Sequence, residues 1–480
     1  MSEKTGIMGR IDRYFEITKR GSTFGREIRG GIVTFFAMSY ILVLNPIILS
    51  AGKDSTGSFL GGGSAPNIAA ISASTALVAG IMTILMGVIA NFPLALAAGM
   101  GINAMVSFSL VLGSGLTWQE AMGIIVLEGV FILFLVLVGL REAVFRAVPS
   151  QLKMAISVGI GLFITLIGLI DAGIIRPGGT PIQLGINGSL AGWPALVFVF
   201  GLFVTIILFV RKVSGSILIG IISSTVLAMV IQYFAGLPTK SDKVPTGWGL
   251  NIPEFKESLI QLPDFSTLGQ FDIVGPFTRL GVLAVILIVF SLMLADFFDT
   301  MGTMVAVGAE AGLLGKDDAP PRTTRILIID SLAAVAGGAS GTSSATSYVE
   351  SSAGVADGAR TGLASVTTGL MFLLATFFAP LVEVIPSEAA STALVAVGFL
   401  MMTQIAEIDW KNWEYAIPAF MTIAMMPFAY SITVGIGAGF ITYTIIQLAK
   451  GNWKQHYLIW FTTVLFILYF VIGPIQGLFQ

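Results

Sequence analysis

Long apolar stretches separated by short polar segments run through almost the whole chain. A helix needs roughly 20 apolar residues to cross a bilayer, and fourteen stretches approach or reach that length. They lie at residues 31–52, 68–90, 95–113, 119–140, 153–172, 193–210, 214–235, 280–305, 323–338, 345–357, 362–385, 389–405, 412–427 and 430–449. The pattern predicts an all-α polytopic membrane protein with about 14 transmembrane helices. A further apolar stretch, 457–475, is interpreted either as a fifteenth crossing or as a helix against the bundle.

Two of these spans, the third and the tenth, are interrupted by Gly, Ser and Thr. The interruptions lie at residues 94–110 and 337–355, in corresponding places of the two halves. Backbone that is not helical cannot face lipid, so both segments must be buried in protein or line a cavity. A polar connection at 236–279 separates seven spans from seven. An odd number of spans per half predicts an inverted repeat, with the substrate site where the broken helices meet.

The composition agrees with a membrane protein and excludes several kinds of chemistry. Only 11% of the 480 residues are charged, against about 25% in a typical soluble domain. The chain has no cysteine and a single histidine, His456, so disulfides, Cys-based metal sites and thiolate nucleophiles are excluded. A net charge of −2 gives no reason to expect nucleic-acid binding. No cofactor or metal is expected, and the chain is not expected to be an enzyme.

The distribution of Lys and Arg predicts the orientation. Residues 1–30 are basic and lack the apolar core of a secretory signal, so we interpret them as a cytoplasmic tail. With this end inside, 19 of the 25 basic residues fall on the inner side, in line with the positive-inside rule. The other six are Lys53, Arg176, Lys240, Lys243, Lys256 and Arg279. The expected location is the cytoplasmic membrane, crossed many times.

Ionisable side chains within the spans are the candidate functional residues. Asp296 and Asp299 of the eighth span lie three apart, hence on one helix face, and Thr300 is close to the same face. Glu350 begins the half-helix after the break in the tenth span, and Glu128 lies in the fourth span. A carboxylate at the bilayer centre is penalised by about 2.5–3.5 kcal/mol, so such residues usually serve ion or substrate pathways.

These side chains suit a planar heterocycle. Carboxylates accept hydrogen bonds from ring N–H groups, and Asn103, in the place of the third span that corresponds to Glu350, offers both a donor and an acceptor. Asn103 has a structural alternative, which is to cap its half-helix. Glu128 is interpreted first as a packing element. A buried carboxyl such as Glu350 or Asp299 can exchange a proton, and no basic residue is placed at the centre to attract an anion.

Four motifs carry a resemblance to a known family. They are TFFAMSYILVLNPIIL in the first span, GMGINA in the third, DFFDTMGT in the eighth and TSYVESSAGVADGARTGL in the tenth. Over residues 25–450 the chain resembles the AzgA-like branch of the nucleobase:cation symporters, the adenine, guanine and hypoxanthine permeases. It departs from that branch at Ala98, where proline is frequent, and in the less aromatic residues after Asn103, which bear on purine preference.

The resemblance implies an elevator-like proton symporter of purine nucleobases, which is a homodimer. A core domain would comprise residues 31–140 and 280–387, and a gate domain residues 141–235 and 388–450. The tail 1–30, the extracytoplasmic connection 236–279 and the C-terminal segment 451–480 would lie outside both.

The resemblance also assigns roles to individual residues. Asp296 and Glu350 would hold the purine, with Asn103 assisting and backbone amides around Tyr348 and Gly101 contributing. Asp299, together with Glu350 and Thr300, would serve translocation or proton coupling.

Three other functions compete with this interpretation. A uracil or xanthine permease of the same fold favours a glutamate in the eighth span, where this chain has DFFDT. A sulfate-permease-type anion carrier would normally end in a cytoplasmic domain, and nothing sizeable follows residue 476. An intramembrane aspartyl protease would place its two acids on separate helices.

Overall fold

Apolar helices account for most of the computed structural model. It describes residues 6–139, 148–178, 180–241, 243–255, 260–315 and 320–478, with side chains up to residue 471. Five basic residues of the charge distribution lie outside this described part: Lys4, Arg141, Arg146, Lys256 and Lys316. The predicted boundary between residues 140 and 141 lies outside it as well.

In the described part of the first half, there are nine helices and three short strands. The helices are α1 (Ile7–Phe15), α2 (Phe24–Met38), α3 (Ile41–Leu49), α4 (Ile68–Leu85), α5 (Met100–Ala104), α6 (Trp118–Leu137), α7 (Ser150–Asp171), α8 (Trp193–Val210) and α9 (Ser216–Ala235). Helix α4 continues as a π-helix over Met86–Ala90, and α5 as a π-helix over Met105–Gly113. The strands are β1 (Leu96–Ala98), β2 (Ile175–Arg176) and β3 (Gln183–Leu184).

Among the residues described for the second half, there are nine further helices and one strand, β4 (Ala345–Ser347). The helices are α10 (Gly275–Leu280), α11 (Val282–Glu310), α12 (Thr323–Ala339), α13 (Ser351–Ala356), α14 (Gly362–Ala375), α15 (Ser387–Met402), α16 (Trp413–Phe428), α17 (Ile432–Ala449) and α18 (Tyr457–Leu478). Turns of 3-10 helix extend α14 over Thr376–Val384 and α15 over Thr403–Glu407.

The predicted spans match these elements in order. Ten helices of the described residues are long and apolar enough to cross a membrane. The other four predicted spans are formed by helices too short for this criterion. They are the third, ninth, tenth and thirteenth spans, which correspond to α5 with its π-helical extension, α12, α13 and α16. The first span begins at Phe24 rather than at residue 31, because Thr23 caps α2 by accepting the Arg26 amide. The open stretch 457–475 belongs to α18, which packs against α17 and α11.

The extended segments of the two broken spans meet as a two-stranded antiparallel sheet, a pairing that the sequence did not predict. Strand β1 pairs with β4 in the register Leu96↔Ser347, Ala97↔Thr346 and Ala98↔Ala345. All six residues are buried. The pairing satisfies backbone groups that a broken helix would otherwise leave unpaired in an apolar environment.

Small residues set the distances between the long helices. A Cβ atom on Gly362 of α14 would overlap the carbonyl oxygen of Gly87, at the end of α4, and the converse holds for Gly87. Gly161 of α7 and Gly398 of α15 stand in the same reciprocal relation, at 2.7 and 2.6 Å from a Cβ to the opposite carbonyl oxygen. Such close approach is the usual packing mode of helices in membranes, where apolar surface alone gives no driving force.

The connection between the halves is attached at both of its ends. Its first part docks on α15, where the Gly249 amide donates to Glu388 at 2.9 Å. Its second part docks on α12 and its exit, where Thr267 donates to the carbonyl of Ser340 at 2.9 Å. Each half of the connection therefore belongs to a different group of helices.

Candidate functional site

The two aspartates of α11 occupy different environments. Asp296 is 1% exposed and faces the interior, together with fully buried Thr300. Asp299, one turn further along, has an exposed side chain in this chain. Asp296 and Asp299 therefore differ in exposure, although both lie in the same predicted span. A shared helix face spans a range of angles wide enough for the two side chains to have different surroundings.

Glu350 is held by a residue from the first span. It lies immediately before α13 and is half-buried, and its Oε1 accepts a hydrogen bond from the Tyr40 hydroxyl at 2.5 Å. Tyr40 stands at the break between α2 and α3. Asp299 is near enough for its charge to interact with that of Glu350. Sequence reasoning did not identify Tyr40, because a tyrosine within an apolar run carries no signal of its own.

Asn103 is buried with unused hydrogen-bonding capacity. It is 0% exposed, and within the described part of the chain neither its Oδ1 nor its Nδ2 has a partner. It does not cap α5, since Gly99 is the N-cap residue and no side chain caps the helix. The alternative of a capping role is therefore wrong. A buried amide without partners costs about 1–3 kcal/mol for each unsatisfied group, which marks this place as one for a polar ligand.

Tyr348 and Gly101 are fixed on opposite sides of the strand pair. The Tyr348 hydroxyl donates to the carbonyl of Ala98 at 2.5 Å, and its amide donates to the carbonyl of Ala95 at 3.0 Å. Gly101 is the second residue of α5 and lies beside α7, where a Cβ atom would lie 2.6 Å from Cγ2 of Ile160. Because the amide of Tyr348 is used within the protein, a ligand must reach the amides of its neighbours instead.

Asp330 of α12 joins the site, although sequence reasoning passed over it. It is 2% exposed. Its carboxylate accepts hydrogen bonds from Thr300 at 2.9 Å and from Ser347 at 2.8 Å. Thr300 also shares a hydrogen bond of 2.8 Å with Thr346. The signal was present, since an acid within the ninth apolar span is costly and therefore informative.

Glu128 of α6 completes the acidic cluster. It is 0% exposed, and its Oε2 accepts from Ser344 at 3.3 Å. Its carboxyl group and that of Asp296 lie within hydrogen-bonding range of each other. From the facing helix α7, Lys153 stands over the ring of Phe298, 5.2 Å from Nζ to the ring centroid. The described residues contain no group of His, Cys, Asp and Glu arranged to hold a metal ion.

Known proteins resemble this chain over nearly its full length. The model of the permease family Xan_ur_permease matches residues 25–438. The guanine/hypoxanthine permease PbuG of Bacillus subtilis is 40% identical over 461 residues, covering 95% of this chain and 99% of that protein. The adenine permease AdeP of Escherichia coli is 36% identical over 454 residues, covering 94% of each.

Solved structures with low sequence identity share the fold. The transmembrane domain of a cyanobacterial bicarbonate transporter, BicA, superposes with a TM-score of 0.58 at 14% identity, over 86% of this chain and 97% of that one. Murine Slc26a9, an anion transporter in the inward-facing state, gives 0.58 at 11% identity, over 93% and 73%. The predicted fold and the resemblance to purine permeases are confirmed. The chain is a multi-pass membrane protein that belongs to the permease family matched by Xan_ur_permease.

Proposed function

We propose that this protein is a secondary active transporter that imports purine nucleobases by proton symport. The observation that carries the proposal is the buried polar cluster around the strand pair, which holds hydrogen-bonding atoms without partners in the described residues. These atoms belong to Asn103 and Asp296. The names of full-length relatives, which are guanine/hypoxanthine and adenine permeases, support the same substrate class.

A purine would supply hydrogen-bonding partners for these buried atoms. Its ring N–H groups would donate to Asp296 and to Glu350, while the amide of Asn103 would both donate to and accept from the ring edge. Helix α5, which carries Asn103, contacts α11, which carries Asp296. Amides at the start of α5, including that of Gly101, have no acceptor within their own helix and would face a ring nitrogen or carbonyl. Backbone amides beside Tyr348 would donate hydrogen bonds to the opposite edge of the purine ring.

An anionic substrate is the less favoured candidate, although the structural neighbours include bicarbonate and anion transporters. Those neighbours share at most 14% identity and support the fold alone. Asp299 and Glu350 interact with each other here, and these two acids would repel an anion. A uracil or xanthine permease of the same fold stays the nearer alternative, since a pyrimidine or an oxidised purine offers similar donors.

The proton would be carried by the accessible acids. Asp299 has the more exposed side chain and interacts with Glu350, so we assign the exchange of the proton to it. Thr300 would take part through its hydrogen bond to Asp330 rather than by contact with the proton. The binding of a substrate to Glu350 and the binding of a proton to Asp299 would then influence each other, because the charges of the two carboxyl groups interact.

Transport would require the two groups of helices to move against each other. The proposed core comprises residues 31–140 and 280–387, and the proposed gate residues 141–235 and 388–450. They face each other where Gly101 meets Ile160. An elevator-like displacement along this contact, in a homodimer joined through the gate, is consistent with it. The N-terminus would be cytoplasmic, and the protein would reside in the cytoplasmic membrane.

Uptake measurements test the function directly. The full chain, reconstituted into liposomes, is given radiolabelled adenine, guanine, hypoxanthine, xanthine and uracil, with and without an inward proton gradient. We expect accumulation of at least one of adenine, guanine and hypoxanthine, abolished by a protonophore. Failure to transport all three would contradict purine transport. Accumulation that survives the protonophore but needs sodium would contradict proton coupling alone.

A further inference from the structure

The first helix of the chain, α1, has an apolar side and a polar side. Apolar side chains recur at three- and four-residue spacing and form one stripe along the helix, which consists of Ile7, Ile11, Tyr14 and Phe15. At the first turn this apolar stripe is uncovered, since Ile7 is 79% exposed and the adjacent Met8 is 65% exposed. An exposed apolar surface of this kind indicates contact with an apolar partner.

Arginine side chains flank the apolar stripe. Arg10 and Arg13 lie outside it, and both are exposed. The acid of this helix, Asp12, is engaged locally, because its carboxylate accepts hydrogen bonds from the amide and the hydroxyl of Thr18 at 2.8 and 2.7 Å. A helix with arginine on its polar side and aliphatic and aromatic residues on the other is typical of segments that lie in the interface of a bilayer.

Hydrogen bonds hold α1 at the end of a membrane span. The Tyr14 hydroxyl donates to the carbonyl of Val88 at 2.8 Å, and the side-chain amide of Asn91 donates to the carbonyl of Phe15 at 2.9 Å. Next to Val88 is Ile89, which is 39% exposed. Because α4 and its π-helical extension are long and apolar enough to cross a membrane, α1 lies where this span reaches the membrane surface.

We propose that α1 binds the surface of the bilayer, with its apolar stripe among the lipid chains and with Arg10 and Arg13 at the phosphate groups of anionic lipids. Two properties of the same short helix select this partner. Acyl chains match the exposed stripe, and anionic phosphates match the guanidinium groups in charge and geometry. A bilayer offers both at once, and the attachment of α1 to the end of α4 keeps it within reach.

The lipid contact is connected to the proposed core domain. Just after α1, Nη1 of Arg20 donates to the carbonyl of Asn91 at 2.8 Å and to the carbonyl of Arg360, in the loop before α14, at 3.1 Å. Lipid bound to α1 therefore holds this end of the proposed core at the membrane surface. The binding of lipid itself does not require that the protein transport purines.

Because the chain has no cysteine, a single spin label can measure the depth of α1. Met8→Cys in the full chain is labelled with a nitroxide and placed in nanodiscs of phosphatidylcholine and phosphatidylglycerol. We expect the label to be more accessible to oxygen, which concentrates in the bilayer, than to a neutral nickel complex, which stays in water. Lys19→Cys, at a side chain that is 75% exposed just after α1, is the matched control and should show the reverse.

Two further samples test the need for anionic lipid. We expect the accessibility of the Met8→Cys label to the nickel complex to rise by about twofold or more in nanodiscs of phosphatidylcholine alone, and likewise in the mixed lipid when Arg10→Gln and Arg13→Gln are added. Equal protection of the label in neutral and anionic nanodiscs would overturn the proposal. So would a label at Met8→Cys that is as open to the nickel complex as the one at Lys19→Cys.

A second protein surface on α1 would give a different result. Low accessibility of the Met8→Cys label to both oxygen and the nickel complex would show that protein covers the apolar stripe, and would overturn the proposal as well. These measurements use no substrate. Failure of purine uptake by the wild type would therefore overturn the proposed function and leave the lipid contact to be decided by the label.

Discussion

The hydroxyl of Tyr40 donates to the carboxylate of Glu350 at 2.5 Å, across 310 positions of the sequence. A residue of the first span thereby orients an acid of the tenth. Tyr40 is 1% exposed, so its hydroxyl has no water to replace this bond. The contact joins the two halves of the chain at the proposed substrate site. Its loss should therefore weaken substrate binding and not only reduce the stability of the fold.

Tyr40→Phe tests that relationship. The change removes one hydrogen bond to a charged group, worth about 1.5–3 kcal/mol, so we expect KM for purine uptake to rise by about tenfold or more. Kinetics of radiolabelled purine uptake give the value. Tyr14→Phe is a matched control, because the Tyr14 hydroxyl donates to the carbonyl of Val88 on the exposed surface. An unchanged KM in Tyr40→Phe would remove this bond from substrate recognition.

Exchanging the two aspartates of α11 for asparagine, one at a time, should separate binding from coupling. Asp296→Asn removes the charge that accepts the ring N–H, and equilibrium binding of radiolabelled purine to purified protein is expected to be lost. Asp299→Asn leaves the buried acid in place, so binding is expected to persist while accumulation driven by a proton gradient disappears. Proton-driven accumulation at the wild-type level by Asp299→Asn would refute its coupling role.

Gly362→Ala should destabilise the protein. Its new methyl group would overlap the carbonyl oxygen of Gly87, and overpacking of a tight contact typically costs about 1–3 kcal/mol. Fluorescence-detected size-exclusion chromatography after heating measures the change in thermal stability. Gly25→Ala, on α2 with no atom within 4 Å of the added Cβ, is the matched control and should behave as the wild type. Equal stability of both variants would show that α4 and α14 adjust freely.

The loop before α4 should give the protein an acid-sensitive contribution to stability. Burial alone would raise the pKa of Asp54, but hydrogen bonds from Thr56, Trp118 and Ser58 outweigh it and hold the pKa below its ordinary value. A pKa that is lower in the folded state stabilises the fold above the unfolded value of about 3.9, and the contribution is lost as the pH falls through the folded value.

Asp54→Asn measures this contribution. The variant is expected to melt at a lower temperature than the wild type at neutral pH, with the difference shrinking below a pH of about 4. Thermal unfolding followed by tryptophan fluorescence over a pH series provides the comparison. A difference that is independent of pH would attribute the effect to packing instead of to the carboxylate.

Sequence reasoning located the buried acids and the broken spans because both violate the apolar pattern of the chain. Asp296, Glu350 and the Gly- and Ser-rich breaks each carry a cost in a bilayer that only burial in protein relieves. The same reasoning reached the fold and the order of the spans, but it did not predict that the extended segments of the two broken spans pair with each other. Asp330 offered an equal signal, in the apolar run of α12, and could have been found in the same way.

Other features depended on three-dimensional geometry that no local pattern contains. The exposure of Asp299 follows from the angle at which α11 meets its neighbours, and three residues along a helix turn a side chain far enough to change its surroundings. Tyr40 is indistinguishable in sequence from any tyrosine of an apolar helix. The contact between Glu128 and Asp296 depends on how α6 crosses α11, which the spacing of residues along either helix does not determine.

The sheet formed by β1 and β4 has a consequence for biosynthesis. Strand β1, Leu96–Ala98, pairs with Ala345–Ser347, which are made much later. At a synthesis rate of about 5–20 residues per second, that interval lasts on the order of 12–50 s. During this time the nascent first half must keep an unpaired backbone edge out of lipid, so it depends on the insertion machinery until the second half arrives.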